Sequence, residues 1–181
     1  MKIINGLTDE TNLPGLALLL FVPVASSVEL PFPDPTNHQG IDVSSITLAH
    51  PDYSKWIPIF HTIDTGILME EADSTDQGPL YKYTIECVVP KDYKYRQSQF
   101  DTLMQMEHLV ITRDHNNVAR ILGYTEDVLF NRGALMKWKF TTGKGSKDRN
   151  GYAMSFYFES NKKALPALNV DSLIVETSYY V

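Results

Sequence analysis

A strict two-residue alternation of apolar and polar side chains most constrains how this chain can fold. Every second residue of Leu80–Val89 is apolar or aromatic, and Ala134–Phe140 and Tyr152–Phe158 repeat the pattern. This period is that of a β-strand with one buried face. A fourth stretch, Leu16–Val24, is apolar without alternation, as in a strand buried on both faces. The sequence therefore predicts a sheet-based core.

Turn residues divide the rest of the chain into further segments, for a total of about nine to eleven strands. Arg113–Asn117 is a hairpin turn between two short apolar segments. Asp92–His108 has a helical period and predicts the one α-helix. The β-branched and aromatic content of Leu173–Val181 predicts a last strand.

Length and composition agree with one domain. The chain has 181 residues, 43% hydrophobic and 21% charged, which is enough to bury an ordinary core. We predict a mainly β single domain over residues 1–181, a β-sandwich or split β-barrel, with one α-helix packed on its flank. Residues 1–14 are predicted as an N-terminal arm, and residues 29–40 and 70–79 as extended loops.

The acidic balance argues against one class of function. A net charge of -6 and a pI near 5.3 disfavour a nucleic-acid groove, which needs a basic patch to neutralise phosphates. They are compatible with cationic partners or with a channel that repels nucleic acid. Leu16–Ala25 is too short to span a bilayer and follows acidic residues, not a basic leader. We expect no membrane partner and synthesis in the cytoplasm, with a cleaved signal as the minor alternative.

The chemistry-bearing residues form no recognisable catalytic pattern. Cys87 is the single cysteine, in a strand where it acts as a small buried hydrophobe, and no two histidines have a metal-ligand spacing. Gly143–Gly151 resembles a phosphate loop, but it lacks the spacing and joins two predicted strands. No nucleophile motif is present. We expect no enzyme activity, no catalytic residue, no cofactor and no metal.

Two charged clusters are the candidate site residues. The acidic run, interpreted as a solvated face or as an interface or channel lining, contains Glu70, Glu71, Asp73 and Asp76. The basic residues that could pair with carboxylates on another subunit are Lys144, Lys147 and Arg149.

The order of elements resembles that of bacteriophage tail tube proteins and of the inner-tube proteins of contractile injection machines. The connector Glu29–Gly40 and the acidic loop Glu70–Pro79 correspond to their protrusions, and Asp92–His108 to their packing helix. A more local pattern is similar to small virion proteins encoded beside phage tail genes. Its residues are Gly78–Lys82, Pro90-Lys91, Arg120–Gly123 and Asp148–Tyr152, followed by Phe156 and Phe158.

The resemblance implies a structural virion protein that forms rings, hexameric in that family, which stack into a tube. DNA would pass through it without specific binding, and other phage tail proteins would be partners. The protein would be made in the bacterial cytoplasm and end in the virion tail. One alternative is a terminator or adaptor ring of the same tail. Another is a monomeric carbohydrate- or protein-binding β-sandwich module with a pocket lined by Trp56, Trp138 or tyrosines.

Overall fold

The computed structural model describes residues 14–29, 40–48, 54–90, 96–124, 133–143 and 150–177. Within these ranges the chain forms twelve strands and two α-helices. The first six strands are β1 Leu16–Pro23, β2 Ser27–Glu29, β3 Ile41–Asp42, β4 Thr47–Leu48, β5 Ile57–Pro58 and β6 Ile67–Thr75. The other strands are β7 Gly78–Pro90, β8 Glu107–Asp114, β9 Ala119–Leu122, β10 Ala134–Thr141, β11 Gly151–Ser160 and β12 Leu165–Leu168. The helices are α1 Arg96–Met104 and α2 Val170–Thr177.

Four long strands form what we call the front sheet, in the order β10-β11-β7-β6. Every neighbouring pair in it is antiparallel. The alternation read from the sequence is confirmed in β7, where Tyr83, Ile85, Cys87 and Val89 are buried and point to one face. β6 and β7 form a hairpin, whose turn is stabilised because the Thr75 hydroxyl donates a hydrogen bond to the Gly78 carbonyl over 2.6 Å.

The middle sheet contains β5, β1, β8, β9, β12 and β3, and only its β12–β3 pair is parallel. β1 is its central apolar strand. Leu19 and Phe21 face a first core, which the middle sheet shares with the front sheet. Leu20 and Val22 face a second core on the opposite side. The prediction that this strand is buried on both faces is therefore confirmed.

The two sheets close on each other along both sides. On one side β8 pairs with the start of β10 through His108 and Ala134. On the other side the Leu16 amide donates to the Gly66 carbonyl over 3.0 Å, and the Thr62 amide donates to the Val88 carbonyl over 2.7 Å. The chain is thus a single, mainly β domain with the form of a partly closed barrel, as the fold-class prediction stated.

Helix α1 packs on the flank of the barrel, as predicted, but it is shorter than Asp92–His108. The Phe100 ring lies 5.0 Å from that of Tyr152, and Leu103 enters the first core. The helix ends in a tight turn, in which the Met106 amide donates a hydrogen bond to the Leu103 carbonyl over 3.0 Å. His108 then belongs to β8, because it pairs with Ala134.

The predicted last strand is wrong in the part that the structure describes, because Val170–Thr177 is a helix. Asn169 turns the chain with a φ of 59°, and its carbonyl accepts the Ser172 amide at 3.2 Å. Val170 and Leu173, three residues apart, both enter the second core. Helical spacing of these two apolar contacts outweighs the β-propensity of the segment.

The extended loop predicted at residues 70–79 is also wrong. Nearly all of this segment belongs to the β6–β7 hairpin, and only Asp76 and Gln77 form a turn. Ladder pairing with β7 supplies the backbone hydrogen bonds that a loop would leave to water. The loop predicted at residues 29–40 and the arm predicted at residues 1–14 lie almost wholly outside the described residues.

Candidate assembly surface

The outer face of the front sheet, called the front face below, has no strand or helix of the described residues packed on it. Residues directly opposite each other in a sheet point to the same side. The pairing register therefore arranges the side chains of the front face in rows that run across the four strands. The front face contains Leu135, Lys137, Lys139, Ala153, Ser155, Tyr157, Glu159, Lys82, Thr84, Glu86, Val88, Ile67, Met69, Glu71 and Asp73.

One row is apolar along almost its whole length. Leu135 pairs with Tyr157, Tyr157 with Thr84, and Thr84 with Met69. These four residues are called the apolar row below. Leu135 is 48% exposed, Tyr157 38% and Met69 37%. Ile67, 46% exposed, extends this patch along β6. Large apolar side chains that cluster at the surface are typical of interaction sites.

Charged rows flank the apolar row on both sides. On the hairpin side Glu159 pairs with Lys82, and Lys82 with Glu71. On the other side Lys137 pairs with Ser155, and Ser155 with Glu86. Each flanking row therefore has at least one amine and one carboxylate.

The polar contacts on this face are local and exposed. The Lys82 amine lies 2.7 Å from the Asp73 carboxylate, and this hydrogen bond raises the pKa of the lysine. The Tyr157 hydroxyl donates to the Glu159 carboxylate, which raises the pKa of the tyrosine. Both pairs are solvent-exposed.

Both outer strands of the front sheet have an edge that pairs with no strand of the described residues. β6 pairs with β7 alone along all nine of its residues. β10 pairs with β8 only at Ala134 and Leu135, so one edge of Met136–Thr141 has no strand partner among the described residues, although helix α1 packs against β10. An unpaired strand edge presents a row of N–H and C=O groups that another strand can pair with.

The structure separates the four predicted acidic residues. Glu71 and Asp73 lie on the front face. Glu70 points to the opposite side of β6, where its carboxylate lies 3.3 Å from the Lys163 amine. Asp76 lies in the hairpin turn. The cluster is thus divided between a face, an intramolecular ion pair and a turn.

The three predicted basic residues Lys144, Lys147 and Arg149 lie outside the described residues. The strands before and after them, β10 and β11, pair at Thr141 and Gly151. That end of the front sheet is opposite the Asp76 turn, because Gly151 pairs with Pro90 at the far end of β7.

A shallow depression of about 360 Å³ lies on the front face beside the apolar row. It exists because Ala153 and Ser155 are small, and Lys137, Lys139 and Glu86 surround it. The larger aromatic side chains point elsewhere. Trp56 is buried in the second core, and Trp138 packs against Phe100 and Tyr152 on the core side of the sheet. Neither tryptophan offers the open aromatic platform that a sugar-binding site needs.

Burial shifts the pKa of two titratable groups in the interior. Burial raises the pKa of the Cys87 thiol to about 12, so it is not a thiolate at neutral pH. His108 is fully buried, and burial lowers its pKa. Its Nε2 lies 2.8 Å from the Leu103 carbonyl, which can only accept, so Nε2–H donates. Nδ1 has no partner among the described residues and faces an aromatic environment with Phe21 and Phe156.

No three His, Cys, Asp or Glu side chains of the described ranges converge in a metal-binding group. Neither helix in those ranges is long and apolar enough to cross a membrane.

Sequence reasoning missed the apolar row, although a signal for it exists. In β10, β11 and β6, a large apolar residue of the front face stands among polar neighbours. Leu135 stands among lysines, Tyr157 between Ser155 and Glu159, and Met69 before Glu70. Only the register shows that these residues are neighbours.

Comparisons with known proteins identify no relative of this chain. No protein-family model matches the chain, and no curated protein and no solved structure shows significant similarity to it.

Proposed function

We propose that this protein is a structural subunit of a phage tail that assembles with copies of itself into rings, and that the rings stack into a tube for the passage of DNA. The observation that carries the proposal is the front sheet, with two open edges of opposite strand direction and opposite charge. Three parts of the proposal rest on the resemblance of the sequence to tail tube proteins: the location in a phage tail, the number of six subunits in a ring, and the other tail proteins as partners.

Strand direction favours a head-to-tail ring. The front sheet has four strands and every pair is antiparallel, so β6 and β10 run in opposite directions. If copies are related by rotation about an axis along the strands, β6 of one copy meets β10 of the next in antiparallel orientation. The ladder then continues from subunit to subunit and leaves no open edge when the ring closes.

The charges of the two edges also favour this pairing. β6 contains Glu70, Glu71 and Asp73 and no basic residue, whereas β10 contains Lys137 and Lys139 and no acidic residue. Two β6 edges repel each other, and a β6 edge attracts a β10 edge. Charge therefore disfavours the closed dimer that would stop assembly and favours the heterologous contact that a ring requires.

The position of the two cores supports a ring in which the front face lines the lumen. The middle sheet and the second core all lie on one side of the front sheet. In a ring the bulkier layer fits on the outside, where the circumference is larger. Six subunits contribute 24 strands, so at about 4.8 Å per strand the backbone wall of the lumen measures about 115 Å around.

The chemistry of that face suits passage of DNA. Its described residues include four carboxylates, Glu71, Asp73, Glu86 and Glu159, against three amines, Lys82, Lys137 and Lys139. The surplus is one negative charge per subunit, whereas phosphate binding requires a surplus of positive charge. Asp76, at the hairpin turn, would contact the next ring in the stack.

Negative-stain electron microscopy of the purified protein over a concentration series tests the proposal. Stacked tubes with a central channel are expected. Single rings that never stack would indicate a terminator or adaptor ring and not a tube subunit. Monomers at every concentration, also in the presence of preformed tube fragments, would overturn the assembly function.

Two proline variants test the edge itself. Successive backbone N–H groups of a strand point to opposite sides, so of Glu71→Pro and Ala72→Pro one removes a donor to β7 and the other a donor on the open edge. A thermal melt identifies the first by its lower Tm. The second is expected to fold normally and to form no rings. If the normally folded variant assembles like the parent, β6 is not the assembly edge.

A further inference from the structure

We infer that the free subunit, before it assembles, pairs with a second copy of itself through the front face. This pairing uses the face of the sheet and not its edges, so it does not depend on the proposed tail function. The occupant is identified by the fit of the front face to itself, in apolar residues, in charge and in area.

The apolar row provides the central contact. Leu135, Tyr157 and Met69 lie in one line across the sheet, and all three are more than a third exposed. Two sheets pack face to face with their strands roughly aligned, at about 10 Å. In that arrangement a twofold axis lays the apolar row of one copy on that of the other, and water is removed from both.

The charged residues of the front face are compatible with a twofold axis in either of two directions. With the axis along the strands, Lys82 of one copy faces Glu159 of the other. With the axis across the strands, Lys82 faces Glu86, because the two flanking rows exchange. In both cases an amine meets a carboxylate beside the apolar contact, and no lysine faces a lysine.

The size of the face indicates a weak, reversible dimer. Four strands at about 4.8 Å give a width of about 19 Å, and the rows from Val88 to Asp73 extend for about 27 Å. This is about 500 Å² per copy, or about 1,000 Å² in total, at the lower end of specific interfaces. The pairing is therefore strong enough to form at high subunit concentration and weak enough to be displaced.

Such a dimer and the ring exclude each other. The dimer covers the face that would line the lumen, and it stacks two subunits where a ring needs free space. Pairing thus holds subunits back from premature assembly until edge contacts displace the second copy.

Sedimentation velocity over a concentration series tests the dimer, with Leu135→Glu as the principal variant. The parent protein is expected to shift from monomer to dimer as its concentration rises. A carboxylate placed in the apolar contact is expected to raise the dimer Kd at least about tenfold, equivalent to about 1.4 kcal/mol. The control is Leu168→Glu on β12, since Leu168 is 39% exposed but lies outside the front face.

Charge-reversal variants test which residues face each other in the dimer, and therefore the direction of its twofold axis. Lys82→Glu is expected to weaken the dimer. Adding Glu159→Lys restores it if the axis runs along the strands, and adding Glu86→Lys restores it if the axis runs across them. Parent monomers at every concentration, equal dimers of the Leu135 and Leu168 variants, or rescue by neither exchange overturn the inference.

The same samples keep this inference separate from the tail function. A variant that has lost the dimer is expected to form rings at a lower concentration than the parent. Rings without any dimer overturn the inference and leave the tail function standing. If the parent forms the dimer and the Leu135→Glu variant, released from it, still forms no rings, the inference stands and the tail function is overturned.

Discussion

The middle sheet and the front sheet differ in what covers their faces, and this difference separates stability from assembly. β1 of the middle sheet is buried on both sides, between two cores. β7 and β11 of the front sheet are buried on one side and open on the other. A strand buried on both faces has no free surface for a partner, whereas a strand with one open face can stabilise the fold and still present a binding surface.

The largest expected difference between the sheets concerns core truncation. Ile111→Ala, in the middle sheet, removes a fully buried side chain from the second core. We expect it to lower the free energy of unfolding by about 2–5 kcal/mol, because it leaves a cavity. Leu135→Ala on the front face is the matched control, with an expected change within about 0.5 kcal/mol. Urea denaturation measures both, and equal losses would contradict the division between the sheets.

The second difference concerns two glycines with positive φ. At Gly123, between the sheets, φ is 82° and an added Cβ would lie 2.3 Å from the His108 carbonyl oxygen. At Gly78, in the exposed hairpin, φ is 113° and an added Cβ would meet nothing within 4 Å. Gly78→Ala is expected to cost about 1–3 kcal/mol from backbone strain alone.

Gly123→Ala adds a steric clash with backbone to the same strain, so its cost is expected to exceed that of Gly78→Ala. Thermal melts of the two variants give the comparison. A smaller loss for Gly123→Ala would mean that the junction of β8 and β10 is looser than the structure shows.

The third difference concerns pH. Burial lowers the pKa of His108 below its ordinary value of 6.5, so the folded protein binds this proton less readily than the unfolded chain. Neutral, buried His108 therefore contributes fully to the free energy of unfolding above pH 6.5. As the pH falls from 6.5 towards the pKa of His108 in the folded protein, this contribution decreases by at most about 1.4 kcal/mol per pH unit.

His108→Gln, which can still donate to the Leu103 carbonyl, is expected to flatten this part of the pH profile of unfolding. The exposed His115 in the β8–β9 turn provides the control variant His115→Gln. If both variants keep the slope of the parent, His108 is not its source.

The smallest expected effect belongs to the exposed ion pair of Lys82 and Asp73 on the front face. Asp73→Asn removes the carboxylate charge and keeps the shape. Exposed pairs are screened by water and salt, so we expect no measurable change in the free energy of unfolding. A marked loss in urea denaturation would show that the front face contributes to stability as the cores do.

Local patterns predicted much of the fold correctly. Alternation identified β7, β10 and β11, and the uninterrupted apolar run identified β1. The helical period of Phe100 and Leu103 located α1 but overestimated its length, because the tight turn at Met106 ends the helix. Periodicity depends on neighbouring residues alone, so it is readable without the rest of the fold.

Two local predictions were wrong because distant contacts outweigh local propensity. Val170–Thr177 is rich in strand-forming residues but becomes a helix, since Val170 and Leu173 reach the second core together. The polar residues around Asp73 suggested a loop, but pairing with β7 holds them in a strand. A polar strand that is exposed on both sides has no alternation to reveal it.

The sequence by itself determined the strand-based core, the burial of β1 on both faces and the acidic character of β6, because each depends only on residue type and spacing. Tertiary structure alone decided which side chains share the front face. Leu135, Tyr157 and Met69 are far apart in the chain and become one row through three strand registers. Register is set by the fit of the buried faces of these strands in the first core, and a shift of one residue would turn the row inwards.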